Sequence, residues 1–182
     1  MSRLRRLLVI VAVLAAALVG AAAAAPTPAA AWQALEPGQL PVELDLAPAK
    51  AFPVAGPVHY GQFAASFGGG RGHDGQDVFA DCGTPVVALQ AGEVVDNKYD
   101  AAGGNYLVVA TASGRAHVYM HLRTPARPPI GASVQAGERL GAVGDTGDAW
   151  DCHLHLEVWT APGWFRGGHP VDPLPLLRRL QG

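Results

Sequence analysis

The sequence predicts an all-β protein, an antiparallel sheet or sandwich with one short C-terminal helix. From residue 51 onward, short apolar runs alternate with glycine-rich turns, which is typical of successive strands. The chain has 23 glycines and 15 prolines but only 15% charged residues, a composition that favours a turn-rich β protein. No long helical period separates the apolar runs, so the strands are expected to pair antiparallel.

Seven segments carry the strand pattern, and glycine-containing turns such as Ser113-Gly114 and Gly103-Gly104-Asn105 separate several of them. We predict strands at residues 77–80, 85–89, 92–97, 106–111, 115–122, 140–143 and 152–160. The short helix is predicted at residues 173–180.

The N-terminal 25 residues are predicted to be a signal peptide. Three arginines precede an uncharged apolar stretch at residues 7–19, and small residues suited to cleavage follow. A membrane anchor is the competing interpretation, but a spanning helix needs about 20 apolar residues. We therefore expect a secreted or cell-envelope protein without a stable membrane partner unless the signal stays uncleaved. Residues 26–50 carry five prolines and are predicted to be a linker or arm, which leaves one domain at residues 51–182.

The charge balance argues against a nucleic-acid partner. Without residues 1–25 the chain has ten Lys and Arg against fifteen Asp and Glu, a net charge near −5. Nucleic-acid-binding domains instead present a basic surface.

We expect the protein to be a monomer.

Two clusters of metal-binding residue types lie 80 positions apart in a chain with only seven histidines. The first contains His73 and Asp77 in a glycine-rich stretch, which favours a loop entering a strand; a surface histidine beside a turn aspartate is the alternative. The second contains His153 and His155, which share one strand face because successive side chains alternate. Glu157 shares that face, where it either orients a ligand histidine or faces solvent.

A third histidine pair lies on the predicted strand 115–122. His117 and His121 share a face of a regular strand but lie roughly 13 Å apart, too far to bind one ion. We expect His121 to belong to the site and His117 to be structural. Trp150, on the loop before the second cluster, either lines a substrate groove or packs against the core.

The two cysteines are predicted to form a disulfide, as expected in an exported protein. Cys152 alternates with His153 and therefore faces away from the histidine pair, which argues against a role as a metal ligand. A bond from Cys82 to Cys152 closes about seventy residues and would stabilise by about 4 kcal/mol on the chain-entropy account.

Together these motifs resemble one family, the lysostaphin/LytM-type zinc endopeptidases that cut bacterial cell-wall peptides. The resemblance covers about residues 52–160 and rests on motifs that follow one another in the family's order. They are Ser66-Phe67-Gly68, Arg71-Gly72-His73-Asp74-Gly75-Gln76-Asp77, Cys82-Gly83-Thr84-Pro85-Val86, Gly92-Glu93-Val94, Gly104-Asn105-Tyr106, Tyr119-Met120-His121-Leu122, Thr146-Gly147 and His153-Leu154-His155-Leu156-Glu157-Val158. Some members of the family also have cysteine at the positions of both Cys82 and Cys152.

The resemblance implies a fold of the duplicated hybrid motif type and a peptidoglycan peptide as substrate. It implies that His73, Asp77 and His155 bind Zn²⁺, while His121 and His153 are the catalytic histidines. Three protein ligands leave the fourth zinc position open, as in catalytic zinc sites. The function expected is hydrolysis of stem or cross-bridge peptide bonds.

Two other functions fit parts of the pattern. A non-catalytic member of the same fold would bind the cell wall or activate another hydrolase, but such members typically lose metal ligands, and all five key residues are present here. A metal-independent β module would make the clusters coincidental, which the ordered motifs argue against.

Overall fold

The computed structural model describes residues 49–70, 72–164 and 166–182. The predicted signal peptide and nearly all of the predicted linker lie outside the described residues. Within them the protein is an antiparallel β structure with one short α-helix, so the all-β prediction is confirmed. The strands are β1 (His59–Tyr60), β2 (Gln76–Phe79), β3 (Pro85–Val87), β4 (Gly92–Asp100), β5 (Gly104–Ala110), β6 (Ala116–Leu122), β7 (Ser133–Val134), β8 (Arg139–Ala142), β9 (His153–Trp159) and β10 (Pro170–Val171). The helix α1 spans Leu174–Gln181, and a 3-10 turn spans Phe63–Ala65.

The strands form one large sheet and one small one. The large sheet has the order β1-β2-β9-β6-β5-β4-β7, and β10 pairs with the far end of β9. The small sheet contains β3 and β8. Strand β9 therefore lies between β2 on one side and β6 on the other, which brings distant parts of the chain to its face.

The main hydrophobic core lies on one face of the large sheet. Leu154 and Leu156 of β9 are completely buried there, as the alternation of that strand predicts. Burial of each such side chain stabilises the folded state by about 1.5–3 kcal/mol relative to leaving it exposed. Tyr119 is also completely buried, and its hydroxyl accepts a hydrogen bond from the backbone N–H of Leu89 at 2.8 Å. The opposite face of β9 is thereby left to polar side chains.

That opposite face carries a smaller apolar cluster beside the polar groups. Tyr106, Val108, Ala116 and Val118 are buried in it. Trp159 and two further partly buried side chains pack against this cluster. Among the described residues, no helix is long and apolar enough to cross a membrane.

The structure contains all seven predicted strands, with ends shifted by a few residues, and the helix begins one residue later than predicted. The sequence pattern did not indicate β1, β7 and β10. Each has only two residues, which is too short to show a period of two.

Candidate metal centre and active site

The pairing of β2 with β9 brings the two sequence clusters together. Asp77 lies directly opposite His155, and Phe79 lies directly opposite His153. Opposite residues of an antiparallel pair share a face, so Asp77, His153 and His155 project to the same side. Nδ1 of His155 lies 2.9 Å from Oδ1 of Asp77, and Nε2 of His153 lies 3.7 Å from the same oxygen.

His73 reaches this face from the loop before β2. Its Nδ1 lies 3.1 Å from the carbonyl oxygen of Ser66, and its Nε2 lies 3.1 Å from Oδ1 of Asp77. Gly75 allows this loop to pass close to β9, because a Cβ atom there would meet Nε2 of His155 at 2.7 Å. The loop-into-strand interpretation of the first cluster is therefore what the structure has, and the surface-histidine alternative is wrong.

One donor atom from each of His73, Asp77 and His155 lies within 4.8 Å of the others. Imidazole nitrogens and a carboxylate oxygen are ligands that zinc takes in proteins, and three of them make an open, catalytic type of shell. Burial alone would raise the pKa of Asp77, but the hydrogen bonds from His155 and His73 outweigh it and hold that pKa below its usual range. The donor set thus fits a zinc ion.

Glu157 fixes the ring of His155 from the other side. The carboxylate is buried, with only 6% of the residue exposed, and Oε1 lies 3.2 Å from Nε2 of His155. Oε2 accepts a hydrogen bond from the indole N–H of Trp159 at 2.6 Å. The solvent-facing alternative for Glu157 is therefore wrong. Burial lowers the pKa of His155, but the hydrogen bonds to Asp77 and Glu157 raise it to about 9, so this position favours positive charge.

His153 is oriented by the loop that precedes it. Its Nδ1 lies 2.8 Å from the carbonyl oxygen of Asp151, which leaves Nε2 facing Asp77. The predicted disulfide is present: Cys152 is bonded to Cys82, with 5.3 Å between their Cα atoms. The residue next to His153 is therefore tethered to the segment after β2.

His121 reaches the same face through a β-bulge. Met120 and His121 together lie opposite the single residue Tyr106, since the register of β5 and β6 shifts there, and His121 has a left-handed backbone with φ 62°. Met120 lies opposite His155, so in a regular strand His121 would point away from it. Instead the ring centroids of His121 and His153 are 4.6 Å apart.

The bulge puts His117 and His121 on different faces of the sheet. The prediction that they share one face, as in a regular strand, is therefore wrong. His117 lies opposite Val158, on the core side, while His121 is turned to the other side. The expectation that only His121 is near the metal cluster agrees with the structure, but the reason is a change of face as well as distance.

Thr146 holds the bulge in place. Its carbonyl oxygen lies 2.8 Å from Nδ1 of His121, and its hydroxyl donates to the carbonyl of Leu122 at 2.8 Å. The same hydroxyl accepts from the backbone N–H of Asn105 at 3.0 Å. Gly147 permits this contact, since it has φ 79° and a Cβ there would collide with Gly104.

The environment of His121 keeps its imidazole neutral. Burial is the main cause that lowers the pKa of His121, and the nearby His153 and His155 add to it, while the hydrogen bond to the Thr146 carbonyl opposes them; the resulting pKa is about 4. With Nδ1 on that carbonyl, the free nitrogen of neutral His121 is Nε2, which can accept a proton.

His117 is buried apart from this cluster. Only 2% of the residue is exposed, and its Nδ1 has no hydrogen-bond partner among the described residues. Burial lowers its pKa to about 4.

A groove of about 660 Å³ opens over the metal-type cluster. His121 and His153 line it together with His73, Asp77 and His155. Phe79, Trp150, Trp159 and Trp164 contribute aromatic rings to its lining. Of the two alternatives for Trp150, the groove-lining one agrees with the structure. The ordering contacts from Ser66, Thr146, Asp151 and Trp159 were not predicted, because three of them are backbone carbonyls and carry no side-chain signature.

The chain is similar to several known proteins. It is 31% identical over 158 residues to the cell division protein DipM of Caulobacter vibrioides, a match that covers 85% of this chain and 26% of DipM. The structure of the antimicrobial peptidase lysostaphin from Staphylococcus simulans matches with a TM-score of 0.61 and 28% identity, over 72% of this chain and 55% of that one. A zinc-containing peptidase from Vibrio cholerae matches with a TM-score of 0.55 and 26% identity, over 69% of this chain and 39% of that one.

The chain thus spans about a quarter of the length of the curated relative DipM. Residues 71–173 match peptidase family M23, a zinc-dependent family. This stretch contains the three residues of the metal-type cluster and the two histidines beside it, and it is more than half of the chain. The protein therefore belongs to peptidase family M23.

Proposed function

We propose that this protein is an exported zinc-dependent endopeptidase that hydrolyses peptide bonds in peptidoglycan stem or cross-bridge peptides. The observation that carries the proposal is the position of two further histidines beside a three-ligand cluster. Nδ1 of His121 and Nδ1 of His153 are each 2.8 Å from a backbone carbonyl, so both rings are held with Nε2 free for chemistry.

In this proposal His73, Asp77 and His155 hold the zinc ion. When bound, zinc polarises the scissile carbonyl and makes the attacking water more acidic. Glu157 receives the N–H of His155 at Nε2, which directs Nδ1 toward Asp77 and the ion. Held between these two carboxylates, the ring keeps one orientation during turnover.

His121 is the candidate general base. Its lowered pKa of about 4 leaves Nε2 unprotonated near neutral pH, ready to take a proton from the attacking water. His153, on the other side of the same space, is the candidate donor to the developing oxyanion or to the leaving amine. Because its Nδ1–H is directed at the Asp151 carbonyl, it donates from Nε2 in the imidazolium form, in which both nitrogens carry a proton. The two rings are close enough, at 4.6 Å between centroids, to act on one substrate peptide bond.

The names of similar proteins support the proposed substrate class. One from Vibrio cholerae is named peptidoglycan DD-endopeptidase ShyC, and one from Staphylococcus capitis is named glycyl-glycine endopeptidase ALE-1. The disulfide between Cys82 and Cys152 supports an extracytoplasmic location, where peptidoglycan is found. We propose that the protein acts there as a monomer.

Digestion of purified peptidoglycan tests the proposal. The purified protein should release peptides with new amino and carboxyl termini at one defined bond, as measured by mass spectrometry, and a zinc chelator should stop the release. His121→Ala should abolish it, while His117→Leu, on the same strand but the opposite face, should not. Binding to peptidoglycan without any release of peptides would instead indicate a non-catalytic member.

A further inference from the structure

Trp150 is the most exposed large apolar side chain among the described residues. It is 81% exposed, and it lines the groove close to His153. A single exposed apolar residue is common on protein surfaces, but this one belongs to a groove with the proposed catalytic groups. Its position therefore matters for what the groove can bind.

Phe79 continues the apolar surface of Trp150 inward to the catalytic histidine. The ring centroids of Phe79 and Trp150 are 5.7 Å apart, and those of Phe79 and His153 are 5.2 Å apart. Phe79 is only 5% exposed and stacks on His59 at 5.3 Å, so it cannot move away easily. The two aromatic rings form a continuous apolar wall that ends at His153.

The loop that carries Trp150 is fixed at its base. Asp151 Oδ1 accepts a hydrogen bond from the backbone N–H of Cys152 at 2.8 Å, and Cys152 is bonded to Cys82. The indole is therefore presented from an anchored backbone, which lowers the entropic cost of using it in binding. An anchored, exposed aromatic wall beside polar catalytic groups is typical of a ligand subsite.

We propose that Trp150 and Phe79 form an apolar subsite for an alanine methyl group next to the scissile bond. This inference rests on the proposed function and narrows its substrate class. A stem-peptide bond flanked by alanine offers a methyl group to the wall, whereas a glycine bridge offers no side chain. A carboxylate side chain would lose its hydration against the two rings without gaining a partner. The subsite thus favours alanine-flanked bonds.

The test compares synthetic peptidoglycan cross-link peptides that carry either alanine or glycine at each residue flanking the cleaved bond. The wild-type protein should prefer alanine over glycine by about fourfold in kcat/KM, the factor that burial of one methyl group gives. Trp150→Ala should reduce this preference to about one by raising KM for the alanine peptide, with little change in kcat. Trp150→Phe, which keeps an aromatic face, should retain most of the preference.

Ile130→Ala is the matched control, because Ile130 is also an exposed apolar residue (57%) but does not line the groove. It should leave the preference unchanged. Equal or better cleavage of the glycine peptide by the wild-type protein would overturn the proposal, and so would an undiminished preference in Trp150→Ala. Absence of zinc-dependent cleavage of every peptide would be a different result, which overturns the proposed function and this subsite with it.

Discussion

Oε1 of Glu157 lies 3.2 Å from Nε2 of His155, on the side of the imidazole away from Asp77. Both acceptors are carboxylates, so both ring nitrogens of His155 donate in this structure. With an ion held beside Asp77, Nε2 would keep its proton on Glu157 and Nδ1 would be the nitrogen that gives up its proton to bind. Such carboxylate–histidine contacts orient ligand imidazoles and raise their basicity. The position of Glu157 two residues after His155 on β9 makes this contact a direct consequence of the strand's period.

Removal of the Glu157 charge should weaken zinc binding. Glu157→Gln keeps the shape but lacks the anionic acceptor, so the zinc dissociation constant should rise about tenfold or more. Competition with a chromogenic chelator measures this directly. Glu93→Gln, an exposed glutamate on β4, is the control, and an equal zinc affinity in both variants would refute the orienting role of Glu157.

A substitution of Thr146 should lower the rate of catalysis without changing the zinc content of the protein. Thr146→Val removes the hydroxyl that bridges Asn105 and Leu122, which loosens the bulge and the carbonyl that orients His121. We expect kcat to fall at least about tenfold and the free energy of unfolding to fall by about 1–2 kcal/mol. Steady-state kinetics and metal analysis test this.

Zinc content should remain at the wild-type level in Thr146→Val. Thr84→Val serves as the control, since that hydroxyl donates to the Asp81 carbonyl at an exposed turn. A Thr146→Val protein with normal kcat would show that His121 does not need this support.

The disulfide should contribute strongly to stability. It closes a loop with a sequence separation of 70, which corresponds to about 4 kcal/mol on the chain-entropy account. The double variant Cys82→Ser with Cys152→Ser should unfold at a lower urea concentration. Its free energy of unfolding should be lower than that of the wild type by up to this amount. Reductant should shift the wild-type protein in the same way and leave the double variant unchanged; coincident unfolding curves of wild type and variant would contradict this.

His117 should make the protein sensitive to acid. Its pKa is about 4 when folded, against about 6.5 when unfolded, so only the unfolded chain takes up this proton between those pH values. This stabilisation by neutral His117 is complete above pH 6.5 and is lost as the pH falls toward 4. The free energy of unfolding should therefore fall by about 2 kcal/mol between pH 7 and pH 5 because of this residue.

His117→Leu should remove this part of the pH dependence without loss of stability at pH 7, because the buried Nδ1 has no described partner to lose. Urea unfolding at pH 7 and pH 5 gives the comparison. The prediction fails if wild type and variant lose the same free energy between the two pH values.

The local sequence determined much of the site. The alternation of His153, Leu154, His155 and Leu156 was enough to place both histidines on one face, and the structure has them there. The position of His121 could not be predicted in the same way. Its face depends on a bulge against β5, which arises from the pairing register and is visible only when the two strands are brought together.

Long-range contacts were also beyond the sequence pattern. The support from Thr146 comes from a residue 25 positions away from His121, and its acceptor is a backbone carbonyl. The pairing of Trp159 with Glu157 follows the strand period but has no motif of its own. Carbonyl acceptors are present in every residue, so composition cannot single them out.

Zinc content and peptidoglycan hydrolysis, measured together on one set of variants, test the central claim that two groups of residues share one active site. The wild-type protein should carry about one zinc ion per chain. Asp77→Ala and His155→Ala should lose both zinc and hydrolysis, while His121→Ala and His153→Ala should keep zinc and lose hydrolysis. Retained zinc and retained hydrolysis in Asp77→Ala or His155→Ala would contradict the account.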